Sequence, residues 1–191
     1  MGDFNIISDV SNSILKTLRD NLCPELIQSP ESIMLTIPSD KNADFQLGIY
    51  LYDIQEMREY RQTEYVRVSP SKRKLPPKPL NLYYAVYINS KSQMSVDAEN
   101  EQRILGRVMQ ILMDFPVLSE EFLEEDEMGA TVTIQTMSFE EKTKLWSVLN
   151  IPYQLAIYFS VAPVLLSSRK VSSFTRVVDA SFQTEQLNER R

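Results

Sequence analysis

The clearest alternation of apolar and polar positions lies at residues 80–89. Leu80, Leu82, Tyr84, Val86 and Ile88 fall on one side, and Asn81, Tyr83, Ala85, Tyr87 and Asn89 on the other. A period of two predicts a strand with one face on a core, and the aromatic residues of its second face predict cover by another element. Residues 46–54 read the same way, with Leu47, Ile49 and Leu51 facing one way and Tyr50 and Tyr52 the other. In residues 153–161, Tyr153, Leu155, Ile157, Phe159 and Val161 alternate with Gln154, Ala156, Tyr158 and Ser160. Shorter strands are expected at residues 33–37 and 131–137.

Between these strands the period changes to about 3.6 residues. Phe4, Ile7, Val10, Ile14, Leu15 and Leu18 predict an amphipathic helix over residues 5–21, closed by Pro24. A second helix is expected over residues 97–115, burying Ile104, Leu105, Val108, Ile111, Leu112 and Phe115 and ending at Pro116. Gly106 interrupts it at a cost of about 1 kcal/mol relative to alanine, so a neighbouring backbone is expected to approach closely there. A third helix starts at Ser138, whose spacing to Glu141 is that of a capping box, and stops at Asn150 and Pro152. Trp146 is expected to anchor this helix on the sheet.

The order is therefore helix, two strands, basic segment, strand, helix, strand, helix, strand and tail, without an internal repeat. That order predicts an α/β fold: a single-domain sandwich over residues 1–166, with a mixed sheet and helices on at least one face. Residues 60–78 lose periodicity, and Pro70, Pro76 and Pro77 predict a loop. Residues 167–191 read as a C-terminal arm or tail, polar at Ser167–Lys170, β-prone around Phe174, Val177 and Val178, and polar again from Thr184. Such a segment can add a strand to a neighbour's sheet edge while Phe174 or Val178 fills a pocket. The alternative is that residues 171–178 form an edge strand of the domain's own sheet.

With 191 residues, 43% of them hydrophobic and 9% aromatic, the chain has the material for one core of its own. A net charge of −6 argues against nucleic-acid binding, which needs a basic footprint. No apolar run reaches membrane-span length, and the first residues lack the basic-then-apolar order of a signal peptide, so no membrane insertion and assembly in the cytoplasm are expected. The lone Cys23 fits a reducing compartment and reads as a small buried filler.

The sequence has no histidine. That removes Ser-His-Asp and Cys-His nucleophiles, HExxH metal sites and imidazole bases, leaving only carboxylate, lysine or tyrosine chemistry. With four glycines and no phosphate-cradling motif, no catalytic residue, cofactor or metal is expected. Two charged segments stand out instead. Arg67, Lys72, Arg73, Lys74 and Lys78 occur without an acid between them. Glu120, Glu121, Glu124, Glu125, Asp126 and Glu127 occur without a base. The acidic run lacks both the apolar pocket of a catalytic carboxylate pair and the glycine-containing alternation of a calcium loop. Opposite charges of this kind suit a contact between neighbouring subunits, or merely keep the domain soluble.

Three groups of residues carry a family resemblance. These are Leu145-Trp146-Ser147 with Pro152-Tyr153 and a strand ending Val164-Leu165-Leu166; Pro76-Pro77-x-Pro79-Leu80-x-Leu82-x-Tyr84; and Glu101-Gln102-x-x-Leu105-Gly106 running on to Pro116-x-Leu118. Over residues 45–166 the chain resembles the cap or tube-terminator family of extracellular contractile injection systems, phage-tail-like particles of the virulence-cassette and anti-feeding-prophage type. The resemblance implies a fold like that of phage tail terminators and a structural role. The protein would close the end of the inner tube distal to the baseplate and join it to the last sheath layer as a hexameric ring. Its partners would be other copies of itself, the inner tube protein and the contractile sheath protein, in a particle released outside the cell. Other readings are a baseplate or tube-initiating adaptor of the same particle, and a small cytosolic binding module or enzyme, which a cleft with a strongly shifted tyrosine, lysine or carboxylate would favour.

Overall fold

The three alternating segments become the centre of one sheet in the computed structural model, which describes residues 4–39, 44–60, 64–89, 97–117 and 129–173. The elements run α1 (Ile6–Leu22), β1 (Ile33–Leu35), β2 (Leu47–Glu56), β3 (Val66–Ser69), β4 (Lys72–Lys74), β5 (Lys78–Ile88), α2 (Ala98–Asp114), β6 (Thr131–Ile134), α3 (Phe139–Val148), β7 (Ala156–Leu166) and β8 (Val171–Ser173). Single 3-10 turns occupy Pro30–Ser32 and Arg58–Tyr60. The main sheet has the order β1-β2-β5-β7-β6, with β1 parallel to β2 and the other neighbours antiparallel. It is a mixed sheet, as the sequence predicts.

Register turns the alternation into layers. Leu51 pairs with Tyr84 and Tyr84 with Phe159, while Ile49 pairs with Val86 and Val86 with Ile157, so these rows share one face. That face packs against α1 through Val10, Ile14 and Leu18 and against α2 through Ile104, Val108 and Ile111. The rings of Tyr84 and Phe159 stack at 5.3 Å. Ser11 of α1 enters this core because it has hydrogen-bonding partners. Its hydroxyl donates to the Ile7 carbonyl at 2.9 Å, which leaves the Tyr84 hydroxyl, also 2.9 Å away, to donate to Ser11 Oγ.

The opposite face is covered by α3. Trp146 is buried there, donates from Nε1 to the Tyr158 hydroxyl at 2.8 Å, and meets Tyr87 edge-on at 5.6 Å. Phe45 meets the same ring at 5.9 Å. Gly48 lies opposite Tyr87 in register, and a Cβ built on it would stand 2.5 Å from the tyrosine ring, so only glycine fits. The capping box forms as predicted: Ser138 Oγ accepts from the Glu141 amide at 3.2 Å, and Glu141 accepts from the Ser138 amide at 2.8 Å. The Ser138 hydroxyl and amide hold the Glu141 carboxyl below its ordinary value.

Several expectations are corrected. Within residues 60–78, expected to be a loop, Val66–Lys74 is regular instead: β3 and β4 form a hairpin whose turn takes Pro70 and Ser71, so this proline sits where it costs no ladder bond, while residues 75–77, with Pro76 and Pro77, stay irregular. With β8 they make a second sheet of order β3-β4-β8. Gly106 has nothing within 4 Å of its Cβ position, so its expected close neighbour is absent from the described residues. Phe115 is 46% exposed because α2 ends at Asp114 and the next residue leaves helical geometry. Phe4 is likewise exposed, with the Arg169 guanidinium 4.8 Å from its ring centre. Tyr153 and Leu155 precede β7 and are exposed, and Ile37 and residues 135–137 fall outside their strands. Cys23 is only partly buried beside the core, and burial pushes its thiol pKa up against the opposing pull of Arg19.

Candidate assembly surfaces

The second sheet sorts the five basic residues that the sequence groups together. Val66, Lys74 and Val171 are in register across its three strands, and so are Arg67, Arg73 and Ser172. Successive residues of a strand point to opposite faces, so the two rows belong to different faces. Lys74, in the first row, is only 8% exposed and serves the fold. Arg67 and Arg73, in the second, are exposed and stand directly opposite each other. The Arg73 guanidinium lies 4.2 Å over the ring of Tyr65, within cation–π range, and Arg67 Nη2 approaches the Pro70 carbonyl at 3.4 Å. Ser172 Oγ donates to the Arg73 carbonyl at 3.3 Å, fastening β8 to the row. Lys72 is exposed beside the hairpin turn, and Lys78 opens β5 with its ammonium 3.5 Å from Glu56.

The remaining expected interface residues, Glu120, Glu121, Glu124, Glu125, Phe174, Val177 and Val178, lie outside the described residues. The start of the tail does not leave the chain: Val171–Ser173 pairs antiparallel with β4. It belongs to the second sheet and not to the five-stranded one.

Several exposed apolar side chains, which sequence pattern did not single out, belong to or flank these strands in sequence, and others lie elsewhere. Tyr65, Val68, Leu75 and Val171 are each about half exposed, as are Ile54 in the end of β2 and Tyr60 in the turn that follows. A second group runs from Met109 and Met113 of α2 to Phe115 and Val117 just beyond its end. On α3, exposed Phe139 packs its ring 5.3 Å from that of Tyr153. A usable signal for the hairpin was the spacing of Val66 and Val68 with Tyr65, a short β-prone run just before the proline.

The chemistry elsewhere is quiet. An open cleft of about 310 Å³ lies where the end of β2 meets the start of β5, lined by Gln55, Glu56, Arg58, Glu59, Asn81 and Tyr83. Burial, helped by Tyr158 and Tyr83, pushes the Tyr52 hydroxyl up to about 12, and burial pushes Tyr84 to about 12 against its bond to Ser11. Both shifts move the groups away from neutral pH and so from acid–base work. Among the described residues no group of three or more His, Cys, Asp or Glu could hold a metal, and no helix is long and apolar enough to cross a membrane.

Residues 9–180 match the family model described as the Pvc16 N-terminal domain. The chain belongs to the Pvc16 N-terminal domain family. Two solved structures share the fold of this Pvc16-type domain. One is the PVC sheath/tube terminator of an extracellular contractile injection system in its extended state, with a TM-score of 0.68 and 21% identity over 95% of this chain. The other is the tube-terminating cap of the anti-feeding prophage, with a TM-score of 0.66 and 19% identity over 93% of this chain. The chain spans 64% and 61% of the lengths of those two proteins. No curated protein matches the sequence.

Proposed function

We propose that this protein is a structural terminator of a contractile injection system: it closes the inner tube at the end remote from the baseplate and joins it to the last sheath layer. The observation that carries this reading is a family match over residues 9–180 together with a fold shared, at TM-scores of 0.68 and 0.66, with a sheath/tube terminator and a tube-terminating cap. The role asks for rigid packing and interaction surfaces and for no bond-making chemistry, and the upward-shifted tyrosines and the exposed hairpin sheet are in keeping with it. The protein acts as a ring of identical subunits, six to match a sixfold tube, assembled in the cytoplasm before the particle is released. Residues beyond β8, including Phe174, Val177 and Val178, form an arm that reaches a neighbouring subunit.

Particles labelled at the N-terminus of this protein and imaged by negative stain test the reading. Label is expected only at the end remote from the baseplate, and deletion of the protein is expected to give tubes and sheaths of irregular length. Label at the baseplate, or uniform capped particles in the deletion strain, would overturn it.

A further inference from the structure

We propose that the outer face of α2 is a helix-docking surface, and that its occupant is α2 of a second copy of the chain, packed antiparallel about a two-fold axis. Gln102, Gly106, Met109 and Met113 follow one another at spacings of four, three and four residues, so they share one stripe of the helix. Met109 and Met113 are 42% and 66% exposed, and the stripe itself carries no charge. Thioether side chains are flexible and adapt to the shape of a partner. Gly106 is a second, independent observation. It costs a helix interior about 1 kcal/mol relative to alanine. Nothing lies within 4 Å of its Cβ position, so within the described residues no neighbour uses the missing side chain. A second helix crossing there would use it, because a bare backbone lets two helices approach to the short end of the roughly 8–10 Å interaxial range.

Antiparallel packing then fixes a register. Setting Met109 of each copy against Gly106 of the other seats a thioether over the vacant position twice, and it brings Gln102 opposite Met113. An isologous contact joins one flank of the helix to the same flank of its partner. Arg103 and Asp114 lie on the same flank of the methionine stripe by helical periodicity, so in this register each Arg103 comes within a turn of the other copy's Asp114. Asp114 is exposed and makes no ion pair among the described residues. Arg103 is paired with Glu99 of its own helix at 3.5 Å, with both side chains more than two-thirds exposed. A pair so exposed contributes little, and the guanidinium has further N–H groups for a second carboxylate. This charge match between the two halves of one helix is what selects a second copy over an unrelated helix. A ring joins unlike patches head to tail, so the two-fold contact is a separate interface and goes beyond the terminator reading.

Sedimentation equilibrium of the full-length protein is expected to show reversible association through this face. Gly106→Leu is the sharpest variant. The open space around the position should let the folded chain keep or raise its melting midpoint, whereas the new side chain should weaken association at least about tenfold. Met113→Gln should weaken it to a smaller extent. Arg103→Asp or Asp114→Arg alone should also weaken it, and the two together in one chain should restore it, because the two-fold axis sets each reversed charge against the other. Rescue of that kind is specific to the antiparallel register. A protein that stays monomeric up to about 1 mM, a Gly106→Leu protein that associates like the parent, or a double exchange no better than its parts would overturn the proposal.

Discussion

The two sheets draw on similar residues, yet only the five-stranded one encloses them. Its inward rows, such as Leu51–Tyr84–Phe159, are covered by α1 and α2, and its outer aromatic face by α3. The largest fully buried side chains are its own Tyr84, Tyr87 and Phe159 and the Trp146 of α3 that packs on it. The second sheet has strands of 4, 3 and 3 residues, and its apolar Val68 and Val171 stay about half exposed. Strands that short bury little area of their own. Apolar residues in the first sheet therefore stabilise the fold, while those in the second are available to a partner. Substitutions should separate the two: core changes lower stability, and hairpin-face changes alter assembly.

The largest effect is expected from Trp146→Ala. It removes the anchor of α3 and leaves the Tyr158 hydroxyl without its 2.8 Å donor, at a cost of about 3–5 kcal/mol in chemical denaturation. A loss under about 1 kcal/mol would show that the outer face is held by something else. Next comes Gly48→Ala, expected to cost about 1–3 kcal/mol. The new methyl would meet the Tyr87 ring at 2.5 Å, and that ring is fixed between Phe45 and Trp146. The pair Gly48→Ala with Tyr87→Leu should be less destabilised than the sum of its single changes, because the ring that clashes is gone.

Alkaline pH sharpens the same contrast. Tyr52 and Tyr84 lie in the main sheet, and both hydroxyls rise from about 10 to about 12 on folding. Between those values the folded state keeps protons that the unfolded state has lost, so ν is larger when native and stability falls with rising pH. Their contribution is complete below about pH 10 and is lost as pH climbs toward about 12. Urea midpoints measured from about pH 9 to 12 should decline, and Tyr52→Phe and Tyr84→Phe should each flatten the slope. An unchanged slope in both variants would remove the tyrosines as its source.

What the sequence revealed follows the same division. β5 was legible because five alternating positions, Leu80 to Ile88, all reach the core, and α3 because Ser138 and Glu141 are close enough in sequence to specify their own bonds. The hairpin and β8 were not, since strands of 3 or 4 residues barely establish a period and Arg73 meets a residue 99 positions away. Gly48 and Gly106 make the limit plain: one is required by a ring that register brings beside it, the other has no close neighbour among the described residues, and neither local pattern says which. Phe4 and Phe115 failed because helical periodicity ceases to hold at helix ends. The charges of Arg67, Arg73 and Lys74 were evident, whereas their separation onto two faces needed the pairing of β3 with β4.

The smallest expected effect on stability, and the finest division between the sheets, comes from truncation after Ser168. It removes β8, whose three residue pairs all fall on β4, and the Arg169 guanidinium from above Phe4. An exposed cation–π contact contributes about 0.5–1 kcal/mol. The β8 ladder lies at the low-stability end of the molecule, where exposed short strands open without unfolding the rest. The main melting transition should therefore shift by no more than the equivalent of about 1 kcal/mol, while amide protection at Arg73 and neighbouring β4 positions is lost in hydrogen exchange. A melting loss as large as that of Trp146→Ala would mean that β8 is integral to a single cooperative core and that the second sheet is no independent surface.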